Sequence, residues 1–246
     1  MIPYERKQIL LAELEKQEVV NLESLCTALS DVSESTIRRD LKTLEKEGQI
    51  TLLRGGATKA KSGSYDTPLI SRSLLRVKEK EKIARAAADL IKDGDVVYID
   101  AGSTPLLMIK YLKHKEITIV TTNAMVFSEI ADTQIHCVMV GGDILNSTAS
   151  IVGPLTDSTL QEMYFDKAFI GATGYNLESG INTPDLREAN KKKIVKNNSN
   201  ETYVLVDSSK EGKRTMCKAF DISECTLIVE KETDFLVKYA TYIIAK

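Results

Sequence analysis

Histidine is scarce in this chain, with two in 246 residues, and cysteine nearly so, with four. His114 and His136 adjoin no obvious catalytic partner. Cys26, Cys137, Cys217 and Cys225 are scattered without CxxC spacing, so neither a disulfide frame nor a zinc site is supported, and buried free thiols are the better reading. No apolar run approaches the roughly 18 residues that a membrane span needs. The first residues are peppered with Glu, Lys and Arg, unlike a signal peptide, so a cytoplasmic protein with no membrane partner is expected. A GxGxxG motif is missing, and Gly212-Lys213 lacks the earlier glycine of a Walker A loop. That disfavours NAD and ATP, and no cofactor or metal is expected. Nor is there a charge excess: the net charge of -2 excludes a uniformly basic nucleic-acid binder.

What is present is local. Between Ser33 and Lys61 seven basic residues face four acidic ones. Helical spacing over Ser33 to Gly48 puts Ile37, Leu41 and Leu44 on one face and Ser35, Arg38, Arg39, Lys42 and Lys46 on the other. Ser33 suits the N-cap, Glu34 the first turn and Gly48 the stop. Taken alone, such a helix is ordinarily just a solvated charge face. Its neighbours argue otherwise. Tyr4 to Lys16 repeats Ile9, Leu10 and Leu14 at helical intervals, and Asn21 caps a short helix carrying Leu22, Leu25 and Leu29. Ser30-Asp31-Val32 then turns into the basic helix, completing a helix-turn-helix layout. Gln49 to Leu53 reads as a strand, and Arg54-Gly55-Gly56-Ala57 as the tip of a wing. In that geometry Ser35, Thr36, Arg38 and Arg39 approach base edges of double-stranded DNA. Lys42 and Lys46 suit phosphates, and Arg54 suits a minor groove. Asp40 is expected to pair locally with an arginine or lysine.

The run Val32-Ser33-Glu34-Ser35-Thr36-Ile37-Arg38-Arg39-Asp40-Leu41, with Leu44-Glu45, Gly48 and Gly55-Gly56-Ala57, resembles the DNA-binding signature of the DeoR family of bacterial transcriptional regulators. It differs at the wing, where the family usually has an Arg and a His before the two glycines and this chain has Leu52 and Arg54.

Thr58 to Pro68 is rich in Lys, Ser, Gly and Thr without periodicity and reads as a connector. The division expected is a winged helix-turn-helix over 1–57, a linker over 58–82, and a second domain over 83–246. In that domain apolar runs at Val96 to Ile99, Ile117 to Val120, Cys137 to Val140, Ala168 to Ile170, Tyr203 to Val206, Leu227 to Val229 and Tyr242 to Ile244 alternate with helical segments. This is the pattern of an α/β fold with a mostly parallel sheet. The first five runs end in small or polar clusters around Asp100, Asn123, Gly141, Gly171 and Lys210, which would line one crevice beyond the strands' carboxyl ends. Ser103 and Thr104, with Pro105 in the first helical turn, make an anion site at a helix N-terminus. Asp100 and Asn123 suit sugar hydroxyls, and Lys210 supplies a positive charge. Each alone is equally a turn former or a surface charge. The three lysines after Glu188-Ala189-Asn190 suit a solvated face just as well.

These clusters, with Val152-Gly153, Glu188 and Lys192, resemble the C-terminal sensor domain of the same family, which is related in fold to ribose-5-phosphate isomerase and binds sugar phosphates. The resemblance implies effector contacts from Asp100, Ser103, Thr104, Asn123, Gly141, Glu188, Lys192 and Lys210. Leu145 stands where the family commonly has an arginine. The reading is therefore a non-enzymatic regulator, a repressor of a sugar-metabolism operon by resemblance, acting as a homo-oligomer (dimer or tetramer) whose operator binding responds to a phosphorylated sugar. Two alternatives stand beside it: a sugar-phosphate isomerase using Asp100, Asp207, Glu188 and Lys210, and a DNA-binding protein whose second domain only oligomerises.

Overall fold

A computed structural model describes residues 3–16, 19–46, 50–53, 57–60, 69–131, 133 and 135–246. The chain divides into two compact units, Met1–Leu75 and Arg76–Lys246.

In the first unit, helices α1 (Pro3–Lys16), α2 (Leu22–Ala28) and α3 (Glu34–Lys46) precede strands β1 (Ile50–Leu52) and β2 (Thr58–Ala60), and α4 (Leu69–Leu74) follows. The side chain of Asn21 accepts from the Ser24 N–H at 2.8 Å and so caps α2. Leu10, Leu14, Leu25, Leu29, Ile37, Leu41, Leu44 and Ile50 form one core. Each such side chain contributes roughly 1.5 to 3 kcal/mol on burial, so the apolar back of α3 is what anchors it. β1 and β2 pair antiparallel, Ile50 opposite Ala60 and Leu52 opposite Thr58. Thr58 also exchanges two backbone hydrogen bonds with Val20, at 2.7 and 2.8 Å. The segment from Thr58, expected to be connector, thus begins as the return strand of the wing. Gly48 and the wing tip at Arg54, Gly55 and Gly56 lie outside the described residues.

Asp40 corrects the expectation of a local partner. It is buried, and its carboxylate accepts from Arg6 of α1, Nε at 2.7 Å and Nη2 at 3.3 Å. The two side chains are 7% and 11% exposed, so the pair is withdrawn from solvent and locks α3 onto α1. Removing the carboxylate takes from Arg6 its two hydrogen bonds to α3. Asp40→Ala is therefore expected to lower the melting temperature of this unit; an unchanged melt would show that the pair is dispensable.

The second unit opens with α5 (Val77–Asp89), one continuous helix that begins inside the segment read as linker. It continues through β3 (Val96–Ile99), α6 (Ser103–Leu112), β4 (Thr118–Thr121), α7 (Val126–Ile130), β5 (His136–Met139), β6 (Asp143–Leu145), β7 (Ser150–Val152) and α8 (Pro154–Gln161). Then come β8 (Phe165–Gly171), β9 (Gly174–Asn176), β10 (Gly180–Thr183), α9 (Leu186–Asn197), β11 (Ser199–Leu205), β12 (Cys217–Phe220), β13 (Thr226–Val229), α10 (Asp234–Tyr239) and β14 (Thr241–Ile244). Seven strands form one parallel sheet in the order β14-β13-β11-β8-β3-β4-β5. They are the seven apolar runs of the sequence. Alternation sends Val97 and Ile99 into the core that contains α5 and α6, and Tyr98 into the core on the other face.

The chain runs outward from β3 through β4 to β5, then resumes on the far side of β3 with β8 and proceeds the other way. Order therefore reverses between β3 and β8, which puts a crevice at their carboxyl ends. A hairpin (β6 and β7) and a small antiparallel sheet (β12-β10-β9) are added to this frame. Gly142 permits the entry to the hairpin: its φ is +151°, and a Cβ there would lie 2.0 Å from Thr156 Oγ1.

Candidate functional site

The first unit presents α3 as two chemically distinct faces. Ser35, Arg38, Arg39, Lys42 and Lys46 are exposed, Thr36 is half-buried, and Ile37, Leu41 and Leu44 are buried. Ser33 Oγ accepts from the Thr36 N–H at 3.4 Å and lies 2.9 Å from its hydroxyl. Arg38 pairs with Glu34 one turn earlier, at 2.7 Å. With both side chains more than half exposed, such a pair is worth at most about 1 kcal/mol. A pair that weak leaves the guanidinium able to change partners.

In the second unit the reversal point is occupied by charge. Asp100 follows β3 and is fully buried. Its Oδ2 accepts from Lys192 Nζ and from the Gly171 N–H at 3.1 Å, and its Oδ1 lies 3.5 Å from the Tyr98 hydroxyl and 3.9 Å from Lys191 Nζ. Glu188, one turn earlier on α9, reaches Lys191 at 3.1 Å and Lys192 at 3.3 Å. Lys191 also donates to Ser150 Oγ at 2.6 Å and the Ile151 carbonyl at 3.2 Å. Two carboxylates and two ammonium groups are thus interleaved out of water, with no net charge. Burial pushes the Glu188 carboxyl up, but Lys191, Lys192 and Ser150 outweigh it and hold its pKa at about 2. Burial likewise opposes the charge on Lys192, and Asp100 and Glu188 outweigh that, holding its pKa above the usual lysine value. The Tyr98 hydroxyl, buried beside Asp100 and 2.7 Å from Thr122 Oγ1, is pushed well up.

These shifts fix a sign. A carboxyl depressed on folding adds stability above its unfolded value of 4.5, and that stability is lost as pH falls through about 2. Acid unfolding of the second unit should therefore steepen between pH 4.5 and 2, and Glu188→Gln should flatten that limb. A superimposable acid titration of the variant would contradict the assignment.

Of the expected effector residues, Asp100, Glu188 and Lys192 meet directly. Asn123 is fully buried at the end of β4, bridged to Ser150, the residue that receives Lys191. Its Oδ1 accepts from the Met125 N–H at 3.0 Å, while its Nδ2 has no hydrogen-bond partner. A buried amide donor without a protein partner is uncommon. Ser103 and Thr104 are buried in the first turn of α6, where the N–H groups lack intrahelical partners. Gly141 is exposed, its carbonyl taken by Thr156 Oγ1 at 2.8 Å. Lys210 is half-buried on the turn after β11, two strands from β3 on the same sheet edge. Sequence reasoning missed Lys191 as a site residue, along with Tyr98 and Ser150. It also left open a solvated face for three lysines, of which Lys193 alone is exposed. Among the described residues, no group of three His, Cys, Asp or Glu is placed to hold a metal ion, and no helix is long and apolar enough to cross a membrane.

Comparison with known proteins bears on both units. Residues 6–63 match the model of the DeoR-like helix-turn-helix domain, and residues 75–232 that of the DeoR C-terminal sensor domain. An uncharacterized HTH-type transcriptional regulator, FruR of Bacillus subtilis (strain 168), is 35% identical over 229 residues, covering 93% of this chain and 91% of that one. The lactose phosphotransferase system repressor of Staphylococcus aureus (strain N315) is 29% identical over 233 residues, covering 93% and 92%. Among solved structures, ribose 5-phosphate isomerase A from Methanocaldococcus jannaschii matches at 26% identity with a TM-score of 0.40, over 55% of this chain and 54% of that one. That likeness is too loose to carry function.

Proposed function

Because the chain belongs to the DeoR family of HTH-type transcriptional regulators, we propose that it is a repressor whose hold on operator DNA is set by a phosphorylated sugar in the crevice of its second unit. The family is one of regulators, so the isomerase alternative falls away. The observation that carries the effector reading is the open Asn123 amide beside the charge-balanced group around Asp100. A sugar oxygen accepts from Asn123 Nδ2, hydroxyls donate to Asp100, and the phosphate takes the N-terminus of α6 around Ser103 and Thr104 or the ammonium of Lys210. Leu145 supplies no guanidinium to this site, so the phosphate rests on those groups. The exposed front of α3 enters the major groove, with Ser35, Thr36, Arg38 and Arg39 toward bases and Lys42 on the backbone, while Arg54, outside the described residues, keeps the minor-groove role expected from the sequence. Two such helices are needed to read a palindromic operator, which makes the acting form a homo-oligomer, a dimer or a tetramer, in the cytoplasm.

The test is thermal unfolding of the full chain with ribose 5-phosphate, fructose 1-phosphate, fructose 6-phosphate and galactose 6-phosphate. A ligand that binds the folded state alone raises the melting temperature, by about 2.7 kcal/mol of added stability at 100 times its Kd. One or more of these sugars should do so and the unphosphorylated sugars should not. Equal response to both would remove the phosphate from the reading.

A further inference from the structure

Arg76 opens the second unit directly after Leu75, the last residue of the first. Its backbone is left-handed, with φ 50° and ψ 45°, at the N-cap of α5. A residue with a Cβ holds that conformation at a cost, and it persists where the surroundings impose it. The Arg76 side chain, 40% exposed, lies at ion-pair distance from three carboxylates. Nε lies 3.6 Å from Asp207 Oδ1, and Nη1 lies 3.5 Å from Glu230 Oε1 and 3.9 Å from Glu79 Oε1. Asp207 and Glu230 are almost fully buried, and both serve the turn after β11. Glu230 accepts from the Ser208 N–H at 3.0 Å and the Ser208 hydroxyl at 2.6 Å, and Asp207 accepts from the Ser209 N–H at 3.0 Å. Lys210 is the third residue of that turn, its N–H bonded to the Asp207 carbonyl at 3.0 Å.

An unbroken series of contacts therefore runs from the crevice edge at Lys210, through the turn and its two carboxylates, to the residue where the chain leaves for the first unit. We propose that Arg76 is a positioning residue that couples the crevice to DNA binding, an inference that rests on the function proposed above. An anion drawn to Lys210 shifts the Ser208 to Lys210 turn, and Asp207 and Glu230 move with it. The clamp on Arg76 then changes. Once unclamped, a left-handed arginine relaxes toward the extended or right-handed region, and the chain is redirected at residue 76. This is a two-state element that a crevice ligand biases, the requirement for coupling between distant sites.

Arg76→Gly is the variant of choice, because glycine keeps the left-handed backbone without strain while removing the clamp. The first arm needs no ligand. Hydrogen exchange of the full chain should quicken at Ser208, Ser209 and Lys210 in Arg76→Gly and in Glu230→Gln, and unchanged exchange there overturns the clamp. The second arm uses the four sugar phosphates named above and an operator fragment selected from random-sequence duplex DNA. With a sugar that binds wild type, the ratio of operator Kd with and without sugar should fall from about fivefold or more to under about twofold in Arg76→Gly. The sugar's own Kd should stay within about twofold. Combining Arg76→Gly with Asp207→Asn should add little, since both act on one network. A purely structural role would shift the melting temperature and leave the ratio alone, and that outcome overturns the inference. If none of the four sugars shifts the wild-type melt, the proposed function fails, and the exchange arm alone decides on the clamp.

Discussion

Lys192→Met is expected to lower the unfolding temperature of the second unit by roughly 6 to 20 °C and to abolish the response to sugar phosphate. Asp100 is fully buried, and Lys192 is its nearest cation; Lys191 stands farther off, at 3.9 Å. Without Lys192 the carboxylate keeps the Gly171 N–H, the Tyr98 hydroxyl at 3.5 Å and Lys191 at 3.9 Å. Breaking a buried pair by removing one partner costs about 3 to 5 kcal/mol, because the stranded charge stays desolvated. In a unit of this size, each kcal/mol moves the midpoint by roughly 2 to 4 °C. Asp100→Asn in the same chain should recover part of the loss, since it removes the stranded charge, and the two effects should not add. A Lys192→Met protein melting like wild type would mean that these four groups are not one network.

Replacing Arg38 and Arg39 together by Ala should weaken specific operator binding by roughly 30-fold or more, leaving melting temperature and oligomer size unchanged. Both side chains lie on the exposed face of α3, opposite the buried Ile37, Leu41 and Leu44, so truncation opens no cavity. The Arg38 to Glu34 pair lost with them is a surface pair of little worth to the fold. A base or phosphate contact from arginine is worth about 1 to 3 kcal/mol, and two of them give the stated factor. If either arginine sits on phosphate, the salt dependence of binding becomes shallower too. Unaltered affinity at moderate salt would take α3 out of the interface.

The separate fates of these arginines and lysines mark where sequence is informative. The amphipathic period of α3 and the seven apolar strands were readable because burial of one face leaves a local, periodic trace, and the structure contains each of them. The contacts of Asp40 and Lys192 left no such trace. Arg6 lies 34 residues from Asp40, and Asp100 lies 92 residues from Lys192, so their pairing follows from topology and not from spacing. Glu188-Ala189-Asn190-Lys191-Lys192-Lys193 is polar but for one alanine; the burial of Glu188, Lys191 and Lys192 follows from α9 packing beside β8 and β11, where Asp100 and Ser150 meet the lysines. The return strand at Thr58 was missed for a related reason, since three polar or small residues beside a Lys- and Ser-rich run carry no strand period. The crevice itself was legible, because strand ends in a parallel sheet are marked by the same small and polar residues whatever binds there.

The central claim is that occupancy of the crevice controls what the basic helix does. Its most direct test is fluorescence anisotropy of the full chain on a labelled operator fragment, titrated with each sugar phosphate that raises the melting temperature. At least one should change the operator Kd by about 5- to 150-fold, the range that 1 to 3 kcal/mol of coupling allows. The same sugar should do nothing to Lys192→Met. An operator Kd indifferent to every sugar phosphate that stabilises the protein would contradict the claim, leaving a crevice that binds ligand without a voice in DNA binding.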